Sequence, residues 1–178
     1  MKDIIYFDIE STGLSVWRDR IIELGILFND KSKVFRFNPE MNISQGASRI
    51  HNIYDKDVEN SPTFYQMAPQ IYKLFSSCKG VCGYNIRNFD LPLLQFELLR
   101  CDRNFLLPDF EIIDVYEISQ SLFKSLKLKD IYLTLSGKPL VKAHSAIADI
   151  EATKELLEII QKKFLSENPQ DTMTGDFI

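Results

Sequence analysis

Long uninterrupted apolar stretches are missing from this sequence of 178 residues. A helix that spans a bilayer needs about 20 consecutive apolar residues, so the sequence predicts no membrane-spanning segment and no membrane partner. The chain begins with a short polar stretch and then enters a strand, so we also expect no signal peptide. Neither an internal repeat nor a low-complexity block is visible. These absences indicate an ordinary globular protein.

Cysteine is scarce. The three cysteines are Cys78, Cys82 and Cys101, an odd number that contains no Cys-x-x-Cys pair. Cysteine usage of this kind is typical of a reduced, intracellular protein rather than of a disulfide framework. We therefore expect a cytoplasmic location.

An excess of basic residues is also absent. Lys and Arg number 21 against 25 Asp and Glu, which gives a net charge of −4 and an isoelectric point of about 5.3. This balance argues against a generic basic nucleic-acid binder. An acidic protein can still bind phosphates if divalent metal ions supply the positive charge.

Hydrophobic residues make up 45% of the chain, enough for a core. The length predicts one domain over residues 1–165 with a polar, mobile tail over residues 166–178.

The order of apolar patterns predicts an α/β fold, a hairpin meander followed by alternating strands and helices. Strands are predicted over residues 4–9, 21–28, 33–37, 80–84 and 111–115. Helices are predicted from a cap at Ser61–Pro62 to about residue 75, from Asn88 or Asp90 to about 100, and over 116–124, 127–135 and 146–164. Residues 38–60 read as irregular. A loop of that length is either functional or hides an element that the pattern does not reveal.

Two carboxylates close the first predicted strand. The segment from Ile4 is apolar until Asp8 and Glu10 interrupt it. Side chains alternate along a strand, so these two acids point to the same face. Like charges this close repel each other, and apolar surroundings make both more costly. A bound cation is the simplest remedy, so this strand end is predicted to form half of a metal site.

The last predicted helix carries another candidate acid, Asp149. At 100° per residue its apolar stripe comprises Ala146, Ile150, Thr153, Leu157, Ile160 and Phe164. Asp149 falls about 50° from the centre of that stripe and therefore faces inward. An inward carboxylate needs a partner, and a cation would supply one. The alternative is that Asp149 only caps the helix or forms a salt bridge.

Asp90 lies at the junction between a short strand and a helix, where sheet proteins often place ligand-binding residues. Asp is also a favoured N-cap residue, and a cap needs no further function. From this residue alone, the cap is the favoured interpretation.

The chain has only two histidines. His144 lies five residues before Asp149, just ahead of the last helix, and an imidazole can take a proton from water near neutral pH. The alternative is an ordinary surface histidine. His51, within the irregular segment, is interpreted as a structural residue that holds its loop.

The candidate acids and His144 lie in three segments that follow one another along the chain: Phe7–Leu14, which reads FDIESTGL, Tyr84–Leu94, which reads YNIRNFDLPLL, and His144–Thr153, which reads HSAIADIEAT. Together they resemble the DEDDh family of 3′-to-5′ exonucleases, which includes the epsilon proofreading subunits of bacterial DNA polymerase III. A sister subfamily has tyrosine four residues before the last Asp, where this chain has Ser145. The histidine class is therefore favoured. Ser11 stands where threonine is commoner in this family.

The resemblance implies a ribonuclease-H-like mixed five-stranded sheet flanked by helices. It maps the four metal-binding acids onto Asp8, Glu10, Asp90 and Asp149, and the general base onto His144. The implied cofactors are two divalent ions, Mg²⁺ or Mn²⁺, which prefer oxygen ligands. In this scheme Asp8 bridges both ions, and Glu10 and Asp149 complete the site for the ion that activates water. Asp90 holds the other ion, and Glu10 is counted with His144 as a catalytic residue.

The loop after Glu10 is expected to receive the terminal nucleotide. The main-chain N–H of Thr12 or Gly13 would bind the terminal 3′-hydroxyl, and Leu14 would lie beside the last base. Phe89 and Asn85 would contact the strand. For Leu14 and Phe89 the alternative is plain core packing.

The function that follows is hydrolysis of phosphodiester bonds at the 3′ end of single-stranded or frayed nucleic acid, with DNA favoured over RNA and nucleoside monophosphates as products. A DNA polymerase is a candidate partner. Two alternatives remain, an oligoribonuclease-like enzyme for short RNA and a non-catalytic module that binds nucleic acid or a polymerase.

Overall fold

A computed structural model describes residues 3–120, 122–123, 127–141 and 144–167. Within them the chain forms one five-stranded sheet in the order β3-β2-β1-β4-β5. The strands are β1 Ile4–Ser11, β2 Ile21–Phe28, β3 Lys31–Arg36, β4 Gly80–Gly83 and β5 Glu111–Asp114. The β1–β2 and β2–β3 pairs are antiparallel, whereas β4 pairs in parallel with both β1 and β5. The predicted mixed sheet flanked by helices is confirmed.

Seven helices accompany the sheet in the described residues. They are α1 Gln45–His51, α2 Asp55–Val58, α3 Phe64–Ser76, α4 Asp90–Cys101, α5 Val115–Gln120, α6 Leu128–Ser136 and α7 Ala146–Glu167. The prediction that residues 38–60 are irregular was wrong, because α1 and α2 lie there. Both helices are short, and local contacts hold them. The Ser44 side chain accepts the Ala47 N–H at 3.2 Å, and Asp55 accepts the Ile43 N–H at 2.8 Å.

The predicted start of α3 at Ser61–Pro62 was also wrong. Thr63 is the N-cap residue, and it forms a capping box with Gln66. The Gln66 side chain accepts the Thr63 N–H at 2.8 Å, while the Thr63 hydroxyl accepts the Gln66 N–H at 3.4 Å. Two otherwise unpaired donors are satisfied reciprocally, which a cap at Ser61 would not achieve.

Helix α7 packs directly across the sheet. Its predicted apolar stripe is buried from Ala146 through Leu157. A Cβ atom added to Gly25 on β2 would lie 2.7 Å from the Ala146 Cβ, so only glycine permits this close approach. The helix runs on to Glu167, into the segment predicted as tail. Residues 168–178 lie outside the described residues, and the predicted domain boundary stays a prediction.

The sheet separates two parts of the core, and β1 contributes to both. Ile5, Phe7 and Ile9 pack with the apolar side chains of α3 and α4. Ile4 and Tyr6 point the other way and pack with α6 and α7. By the same alternation, Asp8 and Glu10 follow Tyr6 onto the α7 face. None of the helices in the described part of the chain is long and apolar enough to cross a membrane.

Candidate active site

Three of the predicted acids meet where β1 ends beneath the start of α7. Asp8, Glu10 and Asp149 each offer a carboxylate oxygen, and these oxygens all lie within 4.8 Å of one another. One turn of α7 supplies Asp149, because the packing of Ala146 and Ile150 turns this intervening position toward the sheet. The alternative that Asp149 merely caps its helix does not account for its place beside two acids from another element.

Asp90 lies beside Asp8 but outside that group of three. It is the first residue of α4, whose N-cap is Phe89, so the interpretation of Asp90 as a cap was wrong. Its side chain is 6% exposed and accepts the Ile9 N–H of β1 at 2.9 Å. Among the neighbouring charges, Asp90 raises the pKa of Asp8 most. The position suits a ligand of a second ion next to Asp8, and that role stays a prediction.

A fifth carboxylate, which no sequence pattern indicated, lies in this neighbourhood. Glu23 on β2 lies directly opposite Glu10 in the antiparallel register and is 5% exposed. Arg36 on β3 donates to it from Nε at 2.8 Å. A single acid within an apolar strand carries little signal, and only the strand register reveals this neighbour.

Burial raises the pKa of Asp8, Glu10, Asp90 and Asp149, and the charges of neighbouring site acids add to the rise for Asp8 and Glu10. Burial is the main cause for Asp8, followed by the charges of Asp90, Glu10 and Asp149. Burial and the Asp149 charge raise the pKa of Glu10 to about 8. Burial raises the pKa of Asp90 to about 7, against the opposing effect of the Ile9 N–H. Burial also raises the pKa of Asp149, which the His144 N–H partly offsets.

These acids fit a hard divalent cation. The donors are all carboxylate oxygens, the type that Mg²⁺ and Mn²⁺ prefer. Burial and, for Asp8 and Glu10, repulsion by the neighbouring acids raise the pKa of these groups, so a bound cation would favour their ionised forms. Asp8, Glu10 and Asp149 could hold one such ion.

His144 is connected to this group through its backbone. Its N–H donates to Asp149 Oδ2 at 2.9 Å, which explains why the two residues lie five apart at the start of a helix. Its φ of 65° is left-handed, and its side chain is exposed. His144 and Asp149 also line the same cavity.

His51 has the structural role expected of it. Its side chain is buried, its Nδ1 accepts the Ile53 N–H at 3.1 Å, and its Nε2 lies 3.3 Å from the carbonyl oxygen of Ser11. Nε2 must therefore carry the proton. Burial lowers the pKa of His51. The histidine fixes α1 to the end of β1.

A cavity of about 520 Å³ is lined by Glu10 and by part of the loop that is predicted to bind the terminal nucleotide. Gly13, Leu14 and Phe89 line it, together with Ala47 and Ile50 of α1. Leu14 is 87% exposed, so the alternative of core packing is wrong for this residue. Phe89 both packs on the core and lines the cavity.

The predicted role of Thr12 was wrong. Its N–H already donates to the Arg20 carbonyl at 3.0 Å. Its hydroxyl donates to Asp19 at 2.9 Å, and the residue is 1% exposed. Thr12 therefore holds the loop together, and Gly13 remains the candidate for binding a terminal hydroxyl.

Asp19 and two residues of α4 stabilise the loop that follows β1. Asp19 also accepts the Ser15 N–H at 2.7 Å, and a Cβ on Gly13 would lie 2.7 Å from the Asp19 carboxylate, so a larger residue at position 13 would displace that carboxylate from its hydrogen bonds. Glu97 of α4 is fully buried and pairs with Arg20 at 2.7 Å and with Arg100. Arg100 in turn donates to the carbonyl of Asp19 at 3.0 Å.

Asn85 lies on the other side of the acids, in a turn organised by a residue that sequence reasoning missed. Asp114, buried at the end of β5, accepts the N–H groups of Asn85, Arg87 and Tyr116 at 2.7, 3.0 and 3.1 Å. Asn85 has a left-handed φ of 62°. The turn that leads to Asp90 is thus fixed from the neighbouring strand.

Comparison with known proteins agrees with this geometry. The exonuclease family model, RNase_T, matches residues 5–157. The chain belongs to the exonuclease family. It is 31% identical over 160 residues to DNA polymerase III subunit epsilon of Treponema pallidum, covering 84% of this chain and 72% of that protein. It is 29% identical over 179 residues to the 3′-5′ exonuclease DinG of Bacillus subtilis, covering 95% of this chain but only 18% of that one.

Solved structures show the same fold. An E. coli exonuclease I–ssDNA complex superposes with a TM-score of 0.79 at 18% identity, over 92% of this chain and 41% of that one. The exonuclease domain thus corresponds to less than half the length of exonuclease I. The ribonuclease-H-like architecture expected from the sequence is confirmed.

The raised pKa values predict an unusual pH dependence of stability for the metal-free exonuclease domain. Between about pH 4 and pH 8 the folded state binds more protons at Glu10 and Asp90 than the unfolded state does, so the free energy of unfolding falls as pH rises. Saturating Mn²⁺ should remove much of this decline because it compensates the ionised acids. The melting temperature is measured across this range with Mn²⁺ and with chelator. The difference between the two values at each pH reports on the metal site. A difference independent of pH would contradict the prediction.

Proposed function

We propose that this exonuclease domain is a metal-dependent 3′-to-5′ exonuclease that hydrolyses single-stranded or frayed 3′ ends and releases nucleoside monophosphates. The observation that carries the proposal is the convergence of Asp8, Glu10 and Asp149 within 4.8 Å, next to the cavity that contains Gly13 and Leu14. A phosphate at the acids would place the terminal sugar and base in that cavity.

The proposed cofactors are two divalent ions, Mg²⁺ or Mn²⁺. Asp8, Glu10 and Asp149 would hold one and Asp90 with Asp8 the other. Such ions supply positive charge to the attacking and leaving oxygens of an in-line displacement. Bound cations would relieve the repulsion among the four acids, and this relief would favour metal binding.

His144 is the proposed general base. It is exposed, so it can reach a water molecule, and its N–H bond to Asp149 keeps it beside the acids. General acid–base help of this kind accelerates hydrolysis by about 10²–10⁴-fold. On the nucleotide side, the exposed Leu14 would lie against the terminal base and the Gly13 N–H would bind the 3′-hydroxyl.

DNA is the favoured substrate, and a DNA polymerase is a candidate partner. Relatives named DNA polymerase III subunit epsilon and exonuclease DinG support this choice, as does the single-stranded DNA bound by exonuclease I. Short RNA is the competing substrate, because a protein with a net charge of −4 is suited to a ligand with few phosphates.

Digestion of 5′-labelled strands tests the proposal. With Mg²⁺ or Mn²⁺ we expect a ladder of 3′-shortened DNA and released mononucleotides, and slower digestion of the matched RNA. A circular single strand, which has no 3′ end, is the control and should stay intact. No shortening of linear DNA or RNA by the folded protein with either metal would refute the activity, and cleavage of the circle would refute the requirement for an end.

A further inference from the structure

A second cavity adjoins the acids, and the proposed chemistry leaves most of it unexplained. Its volume is about 500 Å³. We call it the basic cavity; its lining includes Tyr84, Asn85, Tyr116, Lys127, Lys129 and His144. The two lysines lie at the start of α6, Tyr84 directly follows β4, and Tyr116 lies in the first turn of α5.

The two cavities meet at the acids. Asp149 also lines the basic cavity, whereas Glu10 lines the cavity that contains Leu14. Carboxylate oxygens of these two acids lie within 4.8 Å of each other. A single strand with its last nucleotide beside Leu14 and its scissile phosphate at the acids can therefore continue into the basic cavity.

The charges of the basic cavity suit a phosphate. Lys127 and Lys129 are exposed, and neither has an ion-pair partner among the residues that the structure describes. Nearby arginines are occupied instead. Arg36 pairs with Glu23, and Arg87 pairs with Glu117. In an acidic protein, two available ammonium groups beside a catalytic site are the natural place for a second backbone phosphate.

The aromatic rings give the cavity a surface for a sugar or a base. Tyr84 and Tyr116 meet edge to face with ring centroids 5.8 Å apart, and both are half-buried. Burial raises the pKa of Tyr84, so its hydroxyl stays protonated. Rings fixed in this way offer contact area with little entropic cost to a nucleotide of any sequence.

We propose that the basic cavity binds the nucleotide that precedes the scissile phosphate, with Lys127 and Lys129 on the next phosphate along the strand. This inference rests on the proposed function and narrows its substrate class. The preferred substrates are strands with at least two phosphodiesters, rather than dinucleotides with a single one. Lys127 and Lys129 would then be specificity-determining residues.

The test compares two substrates on the Lys127→Gln/Lys129→Gln variant. One is oligothymidylate, and the other is the p-nitrophenyl ester of thymidine 5′-monophosphate, which has no preceding nucleotide. We expect kcat/KM for the oligonucleotide to fall about tenfold relative to kcat/KM for the ester, mainly through KM, because the variant no longer neutralises the second phosphate. The slope of log KM against log salt should flatten by about 0.7 for each phosphate that is no longer neutralised. A Lys56→Gln/Lys73→Gln variant is the matched control, since these exposed lysines line neither cavity.

The outcomes separate this inference from the function on which it rests. If the unmodified protein hydrolyses both substrates and the lysine variant keeps the same ratio and salt slope, the basic cavity is not a strand subsite. If the unmodified protein hydrolyses neither, the proposed function fails. Fluorescence anisotropy of labelled oligothymidylate with Ca²⁺ then still decides, because equal affinity of the lysine variant and its control would overturn the subsite and weaker affinity would support it.

Discussion

Asp8→Asn should lower kcat at least about 10³-fold with either Mg²⁺ or Mn²⁺. Burial raises the pKa of Asp8, and the charges of Asp90, Glu10 and Asp149 all add to that rise, so Asp8 is the acid that interacts with each of the other three. Its replacement removes a ligand from both proposed ion positions. Stabilisation of transition-state charge by bound metal amounts to several kcal/mol, and each ~1.36 kcal/mol corresponds to a factor of ten in rate. Single-turnover digestion of a labelled strand measures the effect.

The same substitution should stabilise the metal-free protein. An amide at this position removes one charge from a buried, repelling group, so the melting temperature with chelator should rise while the increase on adding Mn²⁺ shrinks. Asp109→Asn, on an exposed acid outside the site, is the control. An Asp8→Asn protein that turns over normally, or that gains as much stability from Mn²⁺ as before, would remove Asp8 from the centre of the site.

His144→Asn should lower kcat by about 10²–10⁴-fold with little change in melting temperature. Asparagine is the appropriate replacement because His144 has a φ of 65°, and asparagine tolerates left-handed backbone better than most residues. The N–H bond to Asp149 is then kept, so the change in rate reports on the imidazole alone. Rates are compared at saturating substrate.

Two further variants sharpen this test. His144→Gly, which also fits the left-handed backbone, should recover activity when imidazole is added, because a free base can replace the missing one. His51→Ala should instead lower the melting temperature, since His51 is buried and bonded to Ile53 and Ser11. Full activity of His144→Asn would show that another group accepts the proton.

Periodicity predicted which way the three central acids face, and the family resemblance joined them into one site. Alternation along β1 placed Asp8 and Glu10 on one face, and the 3.6-residue period of α7 turned Asp149 inward, so their meeting required only that α7 cover that face of the sheet. Asp90 was harder to interpret, because an Asp at a strand-to-helix junction is compatible with a cap. Its bond to the Ile9 N–H depends on the packing of segments far apart in the chain, which no local pattern encodes.

Sequence reasoning missed Glu23 and Asp114 and assigned Thr12 a different role, and one physical cause accounts for all three. Thr12 is engaged by Arg20 and Asp19, Glu23 lies opposite Glu10 through strand register, and Asp114 fixes the turn at Asn85 from another strand. Each of these contacts joins residues far enough apart that neither propensity nor periodicity reports them. Helix α1 was missed because seven residues, stabilised by a cap and by tertiary contacts, leave too short a pattern.

The ion pairs of Glu97 with Arg20 and Arg100 affect how accurately the 3′ end of a strand would be positioned at the acids. Through Arg20 and Arg100 they join the loop that includes Gly13 to α4, whose first residue is Asp90. The surface that would stop the last nucleotide and the acid that would face the departing oxygen are therefore tied to the same helix. Removal of the Glu97 ion pairs would leave every proposed metal ligand in place, but it would make the choice of the phosphodiester bond that is hydrolysed less precise.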